Sequence, residues 1–155
     1  MARTVLAGDH RSVPANKPVT GHQAASARVF HVMHRGVVTC RPEVSARKVA
    51  MMMTAHRIHA VVVTAAAGLP RLVTDREIAR ALYSGTIDAA SADEIAKPAA
   101  LVSPSDGVDE ALARMHERAS THAVAVDRSF RPVGVVSVLD LVEAHPAPAG
   151  TNEAR

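Results

Sequence analysis

His59-Ala60-Val61-Val62-Val63 returns as His122-Ala123-Val124-Ala125-Val126, 63 positions further along the chain. The same offset carries Val49 onto Leu112, Met52 onto Met115, Thr74 onto Ser137 and Ile78 onto Leu141, with no gap between Val49 and Ile78. Ahead of that stretch Pro104 answers Pro42, one residue out of step. A match over about 30 positions in chemistry, order and spacing is the signature of a repeated supersecondary unit, and it must be settled before any fold is considered.

Each copy follows the same order. A short apolar strand, Val37 to Thr39 or Ala100 to Val102, meets a proline-containing turn. A helix is predicted next, from Glu43 to about His56 with Val44, Val49, Met52 and Met53 facing the core. Its counterpart runs from Asp106 to about Arg118, with Val108, Leu112 and Met115 inward. Asp106 is the expected N-cap there, and Asp109 and Glu110 complement the helix dipole. A β-branched run follows (Val61 to Thr64, or Val124 to Val126), too short and too valine-rich for a helix. A turn then leads to a further strand, Arg71 to Thr74 or Val133 to Ser137. Closing helices are expected over Asp75 to Tyr83 and Val138 to Glu143. The order β-α-β-β-α, twice, predicts two small sheets backed by helices. Residues 1–24 read as a leader, 25–88 as the first repeat, 89–145 as the second and 146–155 as a tail.

Composition narrows the function classes. With 48% hydrophobic residues but only 2% aromatics, the core must be built from Ala, Val, Leu, Ile and Met. The net charge of +3 comes from 18 basic residues scattered among 15 acidic ones. No basic run or aromatic platform offers a footing for nucleic acid. Cys40 is the only cysteine, so no internal disulfide forms, which fits a reducing cytoplasm. No apolar stretch approaches the roughly 20 residues needed to cross a bilayer. There is no P-loop, no dinucleotide glycine fingerprint and no nucleophile beside a base, so catalysis is not expected.

The segments Leu72-Val73-Thr74-Asp75-Arg76-Glu77-Ile78 and Gly134-Val135-Val136-Ser137-Val138-Leu139-Asp140-Leu141 share a pattern. An apolar strand runs into Thr or Ser and, three residues on, a carboxylate. With the surrounding order, this resembles the cystathionine-β-synthase-like (CBS) domain pair, or Bateman module, over about Val29 to Ala144. The match includes a lead-in helix, Ala24 to Met33, and a bridging helix, Ala92 to Ala96. The resemblance implies an α/β fold of two tandem CBS repeats related by a pseudo-two-fold axis. It also implies regulation by an adenine nucleotide or related adenosyl ligand (AMP, ADP, ATP or S-adenosylmethionine), with no cofactor required.

Residue by residue, the resemblance places Ser137 on phosphate and Asp140 on the ribose hydroxyls. Thr39, Val44, Arg57, Ile58 and His59 complete that cleft. A weaker, pseudo-symmetric cleft would join Thr74 and Glu77 to Leu101, Thr121 and His122. Glu77 there carries one methylene more than the family's Asp, and Arg71 stands where the family has Gly. The family further implies a homodimer, with Met51 to Met53 supplying apolar contact. A competing expectation is a ligand-free dimerisation or protein-docking scaffold for a separate protein partner.

Nine histidines include the i, i+3 pairs His31/His34 and His56/His59, a spacing that can bind Zn²⁺ or Ni²⁺. No cysteine or acidic partner sits at ligand spacing, so they read as surface or half-buried residues. His59 and His122, at matching places in the repeat, read as structural or cleft-lining.

Overall fold

The computed structural model describes residues 27–145. The expected leader and tail, and positions 24–26 of the lead-in helix, lie outside them. A short helix α1 (Val29–Val32) precedes strand β1 (Thr39–Cys40), helix α2 (Ala46–His56), strands β2 (Ala60–Val63) and β3 (Arg71–Thr74), and helix α3 (Asp75–Tyr83). Helix α4 (Ala92–Ile95) and strand β4 (Lys97–Pro98) bridge to the second copy. There β5 (Ala100–Val102), α5 (Val108–Glu117), β6 (His122–Val126), β7 (Pro132–Ser137) and α6 (Val138–Ala144) repeat the series. One sheet has the order β1-β2-β3-β4 and the other β5-β6-β7. In each, the first pair is parallel and the hairpin antiparallel.

Continuous burial explains the valine runs. Val61 and Val63 face the helices of their own repeat, while Ala60 and Val62 pack against the other repeat with Leu72, Val124 and Val126. Ala123 and Ala125 likewise face inward to α5 and α6. A strand covered on both faces loses the polar alternation of a half-exposed one.

The repeat spacing read from the histidines needs correction. The buried positions of α2 are Ala46, Val49 and Met53, and those of α5 are Val108, Ala111 and Met115, an offset of 62. Thr39 pairs with Val62 as Leu101 pairs with Val124. The amide of Asp75 donates to the His59 carbonyl (3.1 Å), and its counterpart, the Val138 amide, donates to Thr121 (2.9 Å). Thr121 is therefore the equivalent of His59, and His122 that of Ala60. The extra residue sits in the β6–β7 connection, where the ladder slips between Ala125 and Val126. From Thr74 and Ser137 onward the offset is 63, as read. The recurring His-Ala-Val string masks the slip, because a run of small apolar residues matches itself one step out of register.

Helix starts also moved. Helix α2 starts at Ala46 rather than Glu43, capped by Ser45, whose side chain accepts from the Lys48 amide at 3.3 Å. Gly107 takes the cap position of α5. Asp106 instead folds back, its Oδ2 accepting from the Ser103 amide (2.7 Å) and from Arg114 (3.0 Å).

Packing crosses the chain order. Helix α1 buries Val29 among Val136, Leu141 and Ala111 of the second repeat. Helix α4 buries Ala92, and the following Ala96, in the core of the first. The segment after α1 forms a bridge with β7, His34 opposite Val135. A Cβ on Gly134 would lie 2.5 Å from the Met33 sulfur and 3.3 Å from the His34 carbonyl oxygen, so glycine permits this approach. Strand β4 is the counterpart in the first repeat, pairing Leu72 with Lys97 and Arg71 with Pro98. Arg71 does not block it, because its guanidinium turns aside to Asp93 and the Ala96 carbonyl.

Candidate functional site

Between the repeats lies a cleft of about 780 Å³. Its walls include Ser137 and Asp140 from the second repeat and Arg57, Ile58 and His59 from the first, all expected there. Thr39 and Val44 do not line it. Thr39 is exposed on edge strand β1, and Val44 packs on the first core with its carbonyl accepting from the Ala92 amide. Val38, Gly36 and His34 line the cleft in their place. His122, expected in the other cleft, lines this one, as follows from its equivalence to Ala60 rather than His59. Ile58, Val38, Ala60 and Val135 form an apolar stretch of wall.

Asp140 is the organising group. Ser137 ends β7 in extended backbone and caps α6, its hydroxyl oxygen accepting from the Asp140 amide at 3.2 Å. In return, Asp140 Oδ2 accepts from the Ser137 amide and hydroxyl, each at 2.7 Å. This reciprocal capping box satisfies helix-end donors and locks the carboxylate's orientation. The other oxygen, Oδ1, meets His34 Nε2 at 3.2 Å. Burial pushes the Asp140 carboxyl up, but the hydrogen bonds from Ser137 and His34 outweigh it and hold it below the usual carboxylate range. The Ser137 hydroxyl proton is thus spent on Asp140, not directed at the open cleft.

On the facing wall, Arg57 ends α2 in the left-handed region (φ 53°), and His59 Nδ1 lies 3.3 Å from Asp75. His122 is half-buried beside the Thr121 hydroxyl (3.0 Å). Burial lowers its pKa; Asp75, Asp140 and Glu77 pull the other way, and His59 adds to the lowering.

The pseudo-symmetric cleft is much smaller, about 60 Å³, and is lined by Thr74, Glu77 and Thr121 but not by Leu101 or His122. Glu77 is buried, its longer side chain curling back so that Oε2 accepts from the Thr74 hydroxyl (2.5 Å) and amide (3.0 Å). Ligand pockets for drug-sized molecules run from about 300 to 1,000 Å³. The larger cleft falls in that range and the smaller does not.

The CBS domain model matches this chain twice, over residues 29–84 and 92–147. The chain belongs to the CBS domain family. Among solved structures, this CBS pair is similar to the CBS domain protein PAE2072 from Pyrobaculum aerophilum, complexed with AMP. The two share 27% identity with a TM-score of 0.67, over 74% of this chain and 89% of that one. It is also similar to the CBS-domain-containing protein ATU1752 from Agrobacterium tumefaciens, at 25% identity and TM-score 0.68, covering 80% and 97% of the two chains. The CBS pair of MJ0100, in complex with 5-methylthioadenosine and S-adenosyl-L-methionine, shares the fold at 20% identity (TM-score 0.68, 76% and 98% covered). Among curated proteins none matches.

In this CBS pair the methionine triplet divides: Met53 belongs to the core, Met52 is half-buried and Met51 is 64% exposed. Only Met51 is free to meet a partner. Larger apolar exposure lies on α3 and α6, at Tyr83 (96%), Leu139 (71%) and Val142 (60%). Sequence reasoning missed His34 as a cleft residue because its role depends on α1 packing against the second repeat. The one available signal was Gly134, which marks a close backbone approach to β7. Among the described residues, no group of three or more His, Cys, Asp or Glu side chains is placed to hold a metal ion. No helix among them is long and apolar enough to cross a membrane.

Proposed function

We propose that this CBS pair is a regulatory, non-catalytic module that binds an adenosyl ligand in the cleft of Ser137 and Asp140. The observation that carries the reading is Asp140 itself. It is a carboxylate kept ionised and oriented by Ser137, partly exposed (22%) on the rim of an apolar-walled cleft of about 780 Å³. Ribose presents two adjacent hydroxyl donors, and a fixed ionised carboxylate is the natural acceptor for both. Adenine then lies against Ile58, Val38 and Val135. The similarity to an AMP complex at 27% identity supports the same reading. Ser137 acts by positioning Asp140 rather than by holding phosphate.

Regulation follows if the ligand prefers one arrangement of the two repeats over another, since differential affinity is what shifts an equilibrium. The exposed apolar face of α3 and α6 supports self-association, a second copy covering Tyr83, Leu139 and Val142. The buried free thiol of Cys40 supports a place in the reducing cytoplasm.

A thermal-shift screen of tag-free protein against AMP, ADP, ATP, S-adenosylmethionine, NAD and GTP tests the proposal. Selective stabilisation by adenosyl compounds, lost in Asp140→Ala, is the expected result. A flat response at millimolar ligand would instead favour the protein-docking scaffold.

A further inference from the structure

Among the described residues, three of the four sheet edges are blunted by simple means. Strands β1 and β4 are two residues long, and β4 ends in Pro98, which has no N–H to offer. Strand β7 is bridged by the segment after α1, with His34 opposite Val135. The fourth edge strand, β5, is three residues long and pairs with β6 on one side alone. An uncovered edge of this kind is a template for another strand.

Arg114 lies over that edge. From α5 its Nη1 donates to the Leu101 carbonyl at 2.9 Å and to Asp106 Oδ2 at 3.0 Å, while Nη2 donates to Glu110 Oε1 at 2.6 Å. The Leu101 carbonyl thus faces away from β6, and in a strand the amide of the same residue faces the same way. The next outward residue is Ser103, whose amide donates to Asp106 Oδ2 at 2.7 Å. Asp106 is half-buried and is held from behind by the segment leading into α1. There the Val29 amide donates to the Asp106 carbonyl (2.9 Å), and the Val108 amide to that of Ala27 (3.1 Å). One ion pair therefore occupies two outward backbone groups of the edge. The space alongside is not filled, since surface grooves of about 540 and 550 Å³ meet at Leu101 and Arg114. At the offset of 62, the first repeat has Met52 in the place of Arg114 and Val44 in that of Asp106. Its edge strand β1 relies on shortness.

We propose that Arg114 is a latch that closes the β5 edge against strand addition by a second copy of this chain. The edge is self-complementary, because two β5 strands related by a two-fold axis would exchange the amide and carbonyl bonds of Leu101 with one another. With the latch in place that carbonyl is already occupied. A second copy could enter only by displacing a guanidinium that two carboxylates hold. Self-association is thereby left to the helix face of α3 and α6.

Arg114→Met, the residue found at this place in the first repeat, tests the latch in the full chain carrying Tyr83→Asp, so that the helix face does not dominate the readout. Light scattering over a concentration series is read together with hydrogen exchange of residues 99–103. The dimer dissociation constant should fall about tenfold relative to the Tyr83→Asp parent, the worth of the edge hydrogen bonds released for pairing. Residues 99–103 should gain protection as concentration rises. Adding Leu101→Pro, which removes the outward amide, should restore the parent's behaviour. Asp106→Ala, which frees the Ser103 amide and loosens Arg114, gives the same comparison if Arg114→Met does not fold. A folded variant that associates no more than its parent would overturn the latch. So would association that leaves residues 99–103 unprotected or that persists with Leu101→Pro.

Discussion

His34 and Asp140 stand 106 residues apart in sequence and meet at 3.2 Å on the rim of the inter-repeat cleft. The contact joins the segment after α1 to the first turn of α6. The carboxylate proposed for ribose is therefore held from two sides: Ser137 fixes one oxygen and His34 the other.

Asp140→Ala should damage both binding and stability, and the two losses are separable. Removing the reciprocal cap costs about 0.5–2 kcal/mol, read as a lowered urea midpoint. Loss of charge-assisted bonds to ribose should weaken AMP binding about ten- to a hundredfold. Asp140→Asn keeps an acceptor for the Ser137 amide, so it should recover most of the stability but little of the affinity. Equal recovery of both would assign Asp140 a capping role alone.

Acid should loosen the cap. Because the folded-state pKa of Asp140 lies below its unfolded value, its contribution is complete above the unfolded value and disappears as pH falls through the folded one. Thermal melts below the ordinary carboxylate range should therefore show a smaller stability difference between wild type and Asp140→Asn than melts at pH 7.

His122 acts over a higher pH window. Burial lowers its folded pKa, so the unfolded chain takes up the proton first and stability drops as pH goes below about 6.5. His122→Gln should remove that part of the slope, seen as a flatter dependence of Tm on pH between 7 and 5. An unchanged slope would show that His122 does not contribute.

Gly134→Val places a branched side chain against Met33 and the His34 carbonyl. Overpacking of this kind costs about 1–3 kcal/mol. The variant should also release His34 from Asp140, moving the imidazole resonances of His34 in NMR spectra at a single fixed pH. Ala119→Gly, at a left-handed position outside the Asp140 cleft, should change stability by less than about 1 kcal/mol.

Val142→Asp on α6 or Tyr83→Asp on α3 should shift the chain toward monomer in light scattering, since both side chains are largely exposed. A monomeric wild type would remove the basis for that prediction.

Much of this architecture was legible because burial on both faces writes itself as valine runs, and because strand-to-helix turns take a cap. Arg71 to Thr74, Asp75 to Tyr83 and Ala100 to Val102 fall where the pattern placed them. Ser137, Asp140, Arg57, Ile58 and His59 do line one cleft. What could not be read was long-range. Strand β4, only two residues long, carries no periodicity of its own. The one-residue slip in β6 is invisible where Ala and Val alternate on both sides. His34 could join the cleft only after α1 crossed to the other repeat, a choice that no local pattern encodes.

That crossing has a consequence during synthesis. Val29 leaves the ribosome more than a hundred residues ahead of Val136 and Leu141, against which it packs. At about 5–20 residues per second, α1 waits roughly five to twenty seconds with its apolar side uncovered. The first repeat can close its own core as soon as Ala92 and Ala96 emerge. The earliest helix among the described residues is thus seated late, and the cleft rim that includes His34 is completed only after Leu141 has emerged.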